Sequence, residues 1–391
     1  MNVWIVNPFD NLPTEGCRPQ RYWLMSRAFA DAGAHVRFWT SDFSHATKRR
    51  RETKREVEGF AVEMLPTKPY PANVCRQRIV SHRALAKTFA ARAREVIASG
   101  EKPDVVIASS PPLGLCFAAM TAARACGAKF VCDIQDAWPE TFGRLLPRGF
   151  KWLGAILFAG MRRTARKIYR EADLVTGVCR RYAELSGRTD FHLAYHGIEG
   201  DEEAGRRGTR PCAQEVRRLV YAGNLGVGYD LGTVIAAVAR RTELTLDIAG
   251  LGPREAELRA LVARLGVGER VRFHGYLGED ALKALMASCE AGVIPMRDDS
   301  WVGLPYKLGD YLSAGLRIVS SLHGECGELL LRTGYGRTYD RQSADSLLAA
   351  LDALPPVAVT LPDELRADLI YPRYVRRISD CARRSPFGNG L

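Results

Sequence analysis

Short runs of aliphatic and β-branched residues alternate with stretches of helical apolar spacing along almost the whole chain, the pattern of parallel strands covered by helices. Residues 3–7 predict a first strand, 20–32 a helix stopped at Gly33, and 36–40 a second strand. Residues 104–109, 129–134 and 173–178 predict further buried strands, with helices near 76–99, 114–126 and 150–170 between them. Residues 44–58, which carry Lys48-Arg49-Arg50-Arg51, interrupt the alternation as a charged, exposed loop. After a polar stretch rich in Glu, Gly, Arg and Pro, it restarts with strands predicted at 218–223, 244–250, 271–275, 292–295 and 317–321. A last helical stretch covers 362–384.

The expected class is α/β, with two Rossmann-like, doubly wound domains facing a cleft. They are residues 1–197 and 215–369, joined by a linker at 198–214, with the last helix, about 370–391, crossing back onto the first. A length of 391 residues suits two domains that each bury a core. Such sheets bind ligands outside the carboxyl ends of their strands.

Charge adds an asymmetry. Residues 1–200 hold 31 Lys and Arg against 19 Asp and Glu, and the remainder holds 25 of each, so the net +12 belongs to the N-terminal half. Nucleic acid, a phosphorylated acceptor or an anionic membrane surface each fits such a balance. Ten cysteines show no C-x-x-C pair and no zinc-like spacing, the usage expected of a reducing cytosol. The first residues read as a strand and not as a signal peptide, and no apolar run approaches the length of a bilayer span.

The chemistry concentrates between Pro295 and Ser320. Pro305 suits the start of a helix and Gly315 its end. The N-terminus of that helix favours a phosphate, Lys307 in its first turn adds a full charge, and Asp310 one turn on suits the hydroxyls of a sugar diol. Glycines at Gly16, Gly223, Gly226 and Gly228 let backbone amides approach an anion, although Gly228 alone reads better as a simple turn. Asp136, beside Trp138-Pro139 at a strand end, suits a general base or an acceptor-binding carboxylate, with helix capping as the competing reading.

Pro305, Lys307, Asp310, Tyr311 and Gly315 resemble the donor-site signature of retaining family-4 glycosyltransferases of the GT-B fold, in the bacterial surface-polysaccharide branch that includes O-antigen fucosaminyltransferases. Further blocks resemble the family in order: Glu15-Gly16 with Arg21, Ser109-Ser110-Pro111-Pro112, Asp133 to Pro139, Tyr221 to Gly226, Asp247 to Gly250, and Phe273 to Tyr276. The resemblance implies a retaining, metal-independent hexosyl transfer from a nucleotide-sugar, UDP-linked in preference to GDP-linked, onto a lipid-linked glycan. It implies no cofactor and no protein nucleophile. Lys307, the amides of residues 223–226 and Arg21 would neutralise the departing diphosphate, Asp310 would hold the ribose, and Gly250, Gly275 and Tyr276 would line the donor site.

Departures from the pattern are visible. Many relatives carry two Glu residues seven apart; here Asp310 replaces the second, and Asp298 or Asp299 must stand for the first. Asn224 stands where many relatives have Arg. A sugar-nucleotide epimerase of the same fold and a non-catalytic scaffold of glycan assembly are the alternatives; nucleic acid is suggested by charge alone, with no binding motif. Membrane contact is a separate expectation: Trp152 and Phe158 in an apolar stretch, followed by Arg162, Arg163, Arg166 and Lys167, fit an interfacial helix on the inner face of the cytoplasmic membrane, with an ordinary buried helix as the rival.

Overall fold

The computed structural model describes residues 1–15, 18–51, 56–57, 59–73, 75–146, 152–199, 215–297 and 301–383. Gly16, Asp298, Asp299, most of the expected linker (200–214), Phe150, Lys151 and the chain tip lie outside the described residues. The chain divides into two compact units, Met1–Gly197 with Asp368–Leu391, and Ile198–Ala367.

The first unit holds an eight-stranded sheet in the order β3-β4-β2-β1-β5-β6-β7-β8. Its strands are β1 (Asn2–Val6), β2 (His35–Ser41), β3 (Glu56–Val57), β4 (Phe60–Leu65), β5 (Val105–Ser110), β6 (Lys129–Ile134), β7 (Leu174–Gly177) and β8 (His192–Leu193). All pairs are parallel except β3 with β4. Every residue of β5 is buried, as a central parallel strand covered on both faces requires. The helices are α1 (Arg21–Asp31), α2 (Arg76–Ala98), α3 (Leu113–Cys126), α4 (Leu153–Leu157), α5 (Ala159–Glu171) and α6 (Arg180–Ala183).

The second unit carries six parallel strands in the order β11-β10-β9-β12-β13-β14. In chain order its elements are β9 (Arg218–Ala222), α7 (Leu231–Arg240), β10 (Thr245–Ala249), α8 (Glu255–Arg264), β11 (Val271–Gly275), α9 (Glu279–Ala287), β12 (Ala291–Ile294), α10 (Tyr306–Ser313), β13 (Arg317–Ser320), α11 (Glu325–Thr333), β14 (Gly336–Thr338) and α12 (Ala344–Asp352). Leu219, Leu246, Ile248, Val293 and Val319 from its central strands pack against Leu231, Val234 and Leu347 from its helices. The last helix, α13 (Ala367–Arg383), packs within the first unit: the Tyr371 hydroxyl accepts from the Gly197 amide, and the hydroxyls of Tyr374 and Thr176 lie 3.3 Å apart. Both sheets are thus parallel α/β layers, as the alternation of apolar runs predicts.

One predicted element divides. The helix expected over 150–170 is broken at Phe158, whose φ of −104° and ψ of 10° end α4 before α5 begins. Trp152, Ile156 and Leu157 are 65%, 67% and 62% exposed, which excludes the reading of this stretch as an ordinary buried helix. Two residues of the expected membrane face are nevertheless used internally. Phe158 packs on Phe142 with ring centroids 5.4 Å apart, and Arg162 pairs with Glu140 and donates to the Gly154 and Ala155 carbonyls.

Beneath the strand ends of the first unit lies a buried ion pair. Arg21, from the first turn of α1, donates through Nε and Nη2 to the two oxygens of Asp133 on β6, both at 2.9 Å, and through Nη1 to the Ala194 and Tyr195 carbonyls. Neither side chain reaches solvent. Tyr22, Thr176 and Gln135 donate further bonds to the same carboxylate. Burial opposes the charge of Asp133, but Arg21 and these donors outweigh it and hold the carboxyl below its usual range. The pair ties α1 to β6, and the Thr176 hydroxyl adds β7.

Removing one member of such a pair leaves the other charged, buried and uncompensated, at a cost of about 3–5 kcal/mol. Arg21→Met should therefore lower the unfolding free energy of the first unit by that amount at pH 7, seen as a lower urea midpoint at unchanged m. Arg163→Gln, on the exposed side of α5, should stay within about 0.5 kcal/mol. Equal stabilities of the two variants in a urea titration would refute this account of the pair.

Candidate functional site

The site builds up from three glycine turns in the second unit. β9, β10 and β11 each end in a loop that starts from, or just before, a glycine of positive φ: Gly223 at 144°, Gly250 at 144° and Gly275 at 66°. The Gly223 amide donates to the Ala249 carbonyl and the Gly250 amide to the Gly275 carbonyl, which draws the turns together. A Cβ on Gly250 would lie 1.9 Å from the Gly223 oxygen, so side chains are sterically excluded there. The Leu225 amide donates to the Leu251 carbonyl. With the Gly223 and Leu225 amides engaged in this way, the expectation that the whole run 223–226 offers its N–H groups to an anion narrows. The amides of Asn224 and Gly226 are the ones with no acceptor among the described residues.

Over these turns stands the start of α10. Pro305 is its cap residue, in extended conformation one position before the first helical residue, and Gly315 follows its end at φ 72°. The helix is fixed from beneath by Tyr311. Its hydroxyl accepts the Ala222 amide at 2.8 Å, and its ring lies so close to Gly292 that a Cβ there would come within 2.4 Å. This anchoring carries Lys307 into a cage. Its Nζ lies 4.0 Å from the ring centroid of Tyr221 and 4.1 Å from that of Tyr229, and a Cβ on Gly223 would sit 3.0 Å away.

Lys307 Nζ is buried and has no hydrogen-bond partner among the described residues. Burial pushes its pKa down to about 7, with Asp310, one turn later, pulling the other way. The two tyrosine faces stabilise the ammonium form without accepting its protons. A cation so placed is short of one thing, an anion in contact. The unengaged amides and the N-terminus of α10 point to the same ligand class, a phosphate or diphosphate.

The rest of the rim is rigid. Residues 226–230 form a turn, with the Tyr229 amide donating to the Gly226 carbonyl and the Asp230 amide to the Pro295 carbonyl. Asp230 also caps α7 through the Thr233 hydroxyl at 2.6 Å, and Arg254 holds the Tyr229 carbonyl. Gly228 lies within this turn, its carbonyl accepting from the Arg297 amide. Tyr276, next to Gly275, is 74% exposed.

Lys307, Asp310, Pro305, Gly223, Asn224, Gly226, Gly250, Gly275 and Tyr276 thus belong to one set of neighbouring loops on one unit. Arg21 does not serve there. It is expected at a diphosphate, but four of its five N–H groups donate to Asp133 and two carbonyls inside the first unit, and its side chain has no exposed surface. Asp136, also in the first unit, is half-buried and accepts from the Ala137 amide at 2.7 Å. Sequence reasoning missed Tyr229. Its only local signal is an aromatic eight residues after Tyr221, across a glycine-rich loop.

Two family models match, the Glycosyl transferase 4-like domain over residues 19–192 and Glycosyl transferases group 1 over residues 216–354. No curated protein sequence matches the chain. Among solved structures, HepE of Anabaena in complex with UDP is 15% identical at a TM-score of 0.64, over 97% of this chain and 100% of that one. The sucrose-phosphate synthase of Thermosynechococcus elongatus is 12% identical at 0.61, over 97% and 96%. The lipopolysaccharide outer core galactosyltransferase WaaB is 14% identical at 0.57, over 97% and 99%. The solved structures share the two-domain GT-B fold, and the two glycosyltransferase models, 4-like on the first unit and group 1 on the second, together cover most of the chain, which thus belongs to the glycosyltransferases they describe.

Proposed function

We propose that the chain is a retaining, metal-independent glycosyltransferase of bacterial surface-polysaccharide synthesis, in the branch of the O-antigen fucosaminyltransferases. It takes a sugar from a nucleotide donor, a UDP-sugar in preference to a GDP-sugar, and places it on a lipid-linked glycan at the inner face of the cytoplasmic membrane. The observation that carries this reading is Lys307, an amine buried between Tyr221 and Tyr229 with no hydrogen-bond partner among the described residues. HepE was solved with UDP and with UDP-glucose, which supports the choice of base, and WaaB acts on the lipopolysaccharide outer core, which supports the choice of product.

On this reading Lys307, the Asn224 and Gly226 amides and the α10 N-terminus neutralise the departing diphosphate, and Asp310 accepts from the ribose hydroxyls. A leaving-group oxygen takes the acceptor proton on the same face, so no protein nucleophile is required. The positive charge that a divalent metal brings in other sites comes here from Lys307.

Loss of one preorganised contact to a developing charge costs on the order of a hundredfold in rate. Lys307→Ala should cut kcat by about that factor, and Asp310→Asn should act mainly on nucleotide affinity. The assay is run in excess chelator, which takes away no turnover on this account. Wild-type kinetics in both variants would remove the donor site from α10.

Lys307 also makes donor binding pH-dependent. In the free protein its pKa is about 7, and a bound diphosphate raises it. Above pH 7 binding must therefore take up a proton, and affinity falls as pH rises until the pKa of the complex is passed. Calorimetry of UDP binding at pH 8, in two buffers of different ionisation heat, should show uptake approaching one proton, because the terminal phosphate (pKa about 6) is already ionised. The uptake should vanish in Lys307→Ala. Uptake that persists in the variant would assign the proton to another group.

The membrane reading rests on the exposed Trp152, Ile156 and Leu157 beside the basic face of α5. Arg163, Arg166 and Arg170 line a groove of about 1120 Å³ with Lys167, and none of these three arginines has a carboxylate partner among the described residues. No described helix is long and apolar enough to cross a membrane. Each cation near an anionic leaflet contributes about 1 kcal/mol. The protein should sediment with phosphatidylserine-containing vesicles, be released by 1 M salt as screening shortens to roughly 3 Å, and bind several-fold less after Arg163, Arg166 and Arg170 are changed to Gln. Equal recovery with neutral vesicles would count against it.

A further inference from the structure

Four strand-end loops and one helix of the first unit converge on a second, separate arrangement. Phe9 follows β1, His45 and Lys48 follow β2, Tyr70 follows β4, Trp138 follows β6, and Arg78 and His82 come from the first two turns of α2. Their rings form a chain of contacts: Phe9 to His45 at 5.1 Å, Phe9 to His82 at 5.6 Å, His45 to Tyr70 at 5.8 Å, and His82 to Trp138 at 5.9 Å. The Arg78 guanidinium carbon lies 5.3 Å from the Trp138 ring, 5.5 Å from Phe9 and 6.0 Å from Tyr70. Phe9, His45, Arg78, His82 and Trp138 are all half-buried, so this cluster is not closed core.

The cations here lack carboxylate partners. Arg78 donates to the Asn73 carbonyl at 2.6 Å and forms no ion pair among the described residues. Lys48 reaches the His45 carbonyl, the Asn73 side-chain oxygen and the Tyr70 ring, all neutral groups. Lys48 is also held at φ 59°, a conformation that costs a non-glycine residue about 1–2 kcal/mol. Burial and the nearby cations push His45 and His82 down to about 3, so both imidazoles are neutral and add no competing charge. Asp136 is the carboxylate that acts on Arg78 electrostatically.

A half-buried pair of cations among aromatic faces selects a ligand that is anionic at one point and presents C–H surface elsewhere. Sugar rings stack on aromatic faces, and guanidinium pairs with carboxylate or phosphate. We infer that this cluster is an acceptor subsite for an acidic sugar, a pyranose bearing a carboxylate or phosphate, with its ring against Trp138 and Phe9 and its anion on Arg78 and Lys48. The inference rests on the glycosyltransferase reading and narrows its acceptor to an acidic glycan. Asp136, on the same strand-end loop as Trp138, then stands beside the acceptor.

The test is a ligand-observed NMR titration of the full chain with methyl β-glucuronide, glucose 6-phosphate and methyl β-glucoside, with UDP binding measured in parallel. At least one acidic probe should bind about tenfold more tightly than the neutral glucoside. Arg78→Gln and, independently, Lys48→Gln should remove that preference without changing UDP affinity or melting temperature. Which acidic probe wins separates carboxylate from phosphate. If the glucoside binds as well as both acidic probes, if neither acidic probe binds, or if both variants keep the preference, the subsite is refuted and the donor site stands. If the wild type fails to bind UDP, the glycosyltransferase reading fails instead.

Discussion

The proposed donor site is organised around one unfavourable burial. To keep Lys307 protonated below pH 7 in its cage costs roughly 5 kcal/mol relative to water, since its pKa is drawn from 10.5 to about 7. The fold sustains that cost through packing that leaves the amine nowhere else to go. Tyr311 locks α10 to β9 and β12, Gly292 leaves room for that ring, and Gly223 leaves room for the amine itself. A larger residue at either glycine would push the helix or the lysine outward and relieve the constraint. Gly223 and Gly292 are therefore explained by close approach before turn geometry. A charge held in this way binds an arriving anion without having to shed water or reorganise.

Arg21 shows the opposite arrangement, and the contrast separates structural from functional charge. Arg21 and Lys307 are both buried cations at the start of a helix after a glycine-bearing loop, which is why the sequence alone assigns both to a phosphate. Arg21 is neutralised by a two-point contact with Asp133 and by carbonyls, so no exposed donor remains for a ligand. Among the described residues Lys307 has aromatic faces in contact and the Asp310 charge one turn away. The difference lies in a residue 112 positions along the chain from Arg21, and no local pattern contains it.

Legibility follows the same rule. The strands 129–134 and 271–275 are read from sequence to the residue: the first is a mostly apolar run buried on both faces, and the second is an edge strand in which Val271 and Phe273 alternate with exposed Arg272 and His274 before Gly275 ends it. β4 is missed: Phe60 to Leu65 mixes buried with half-buried positions and carries Glu63, so neither the alternating nor the continuous template fits. β14, three residues long, is set by its pairing with β13 and has no signature of its own. The donor helix is legible because its cap, lysine, acid and closing glycine lie within eleven residues. The cluster around Arg78 is not, because its members come from loops spread between Phe9 and Trp138 and meet only once the sheet has formed.

The charge surplus of the N-terminal half can now be apportioned. Some of its cations are cancelled in ion pairs and add nothing to the surplus: Arg21 with Asp133, Arg37 with Glu63 and Glu101, Arg51 with Glu15, Arg162 with Glu140, and Arg188 with Asp190. Among the cations without a carboxylate partner, Arg78 and Lys48 stand at the strand ends, and Arg163, Arg166 and Arg170 stand on α5. Surplus that served solubility alone would be spread over the surface and interspersed with acid. Part of it stands at an aromatic cluster and part beside an exposed apolar patch. Aromatic contacts connect the two places, from Trp138 through Phe142 to Phe158, at the junction of α4 and α5. On the proposed reading, a single acceptor with an acidic sugar at one end and a lipid phosphate toward the other would meet both sets of cations.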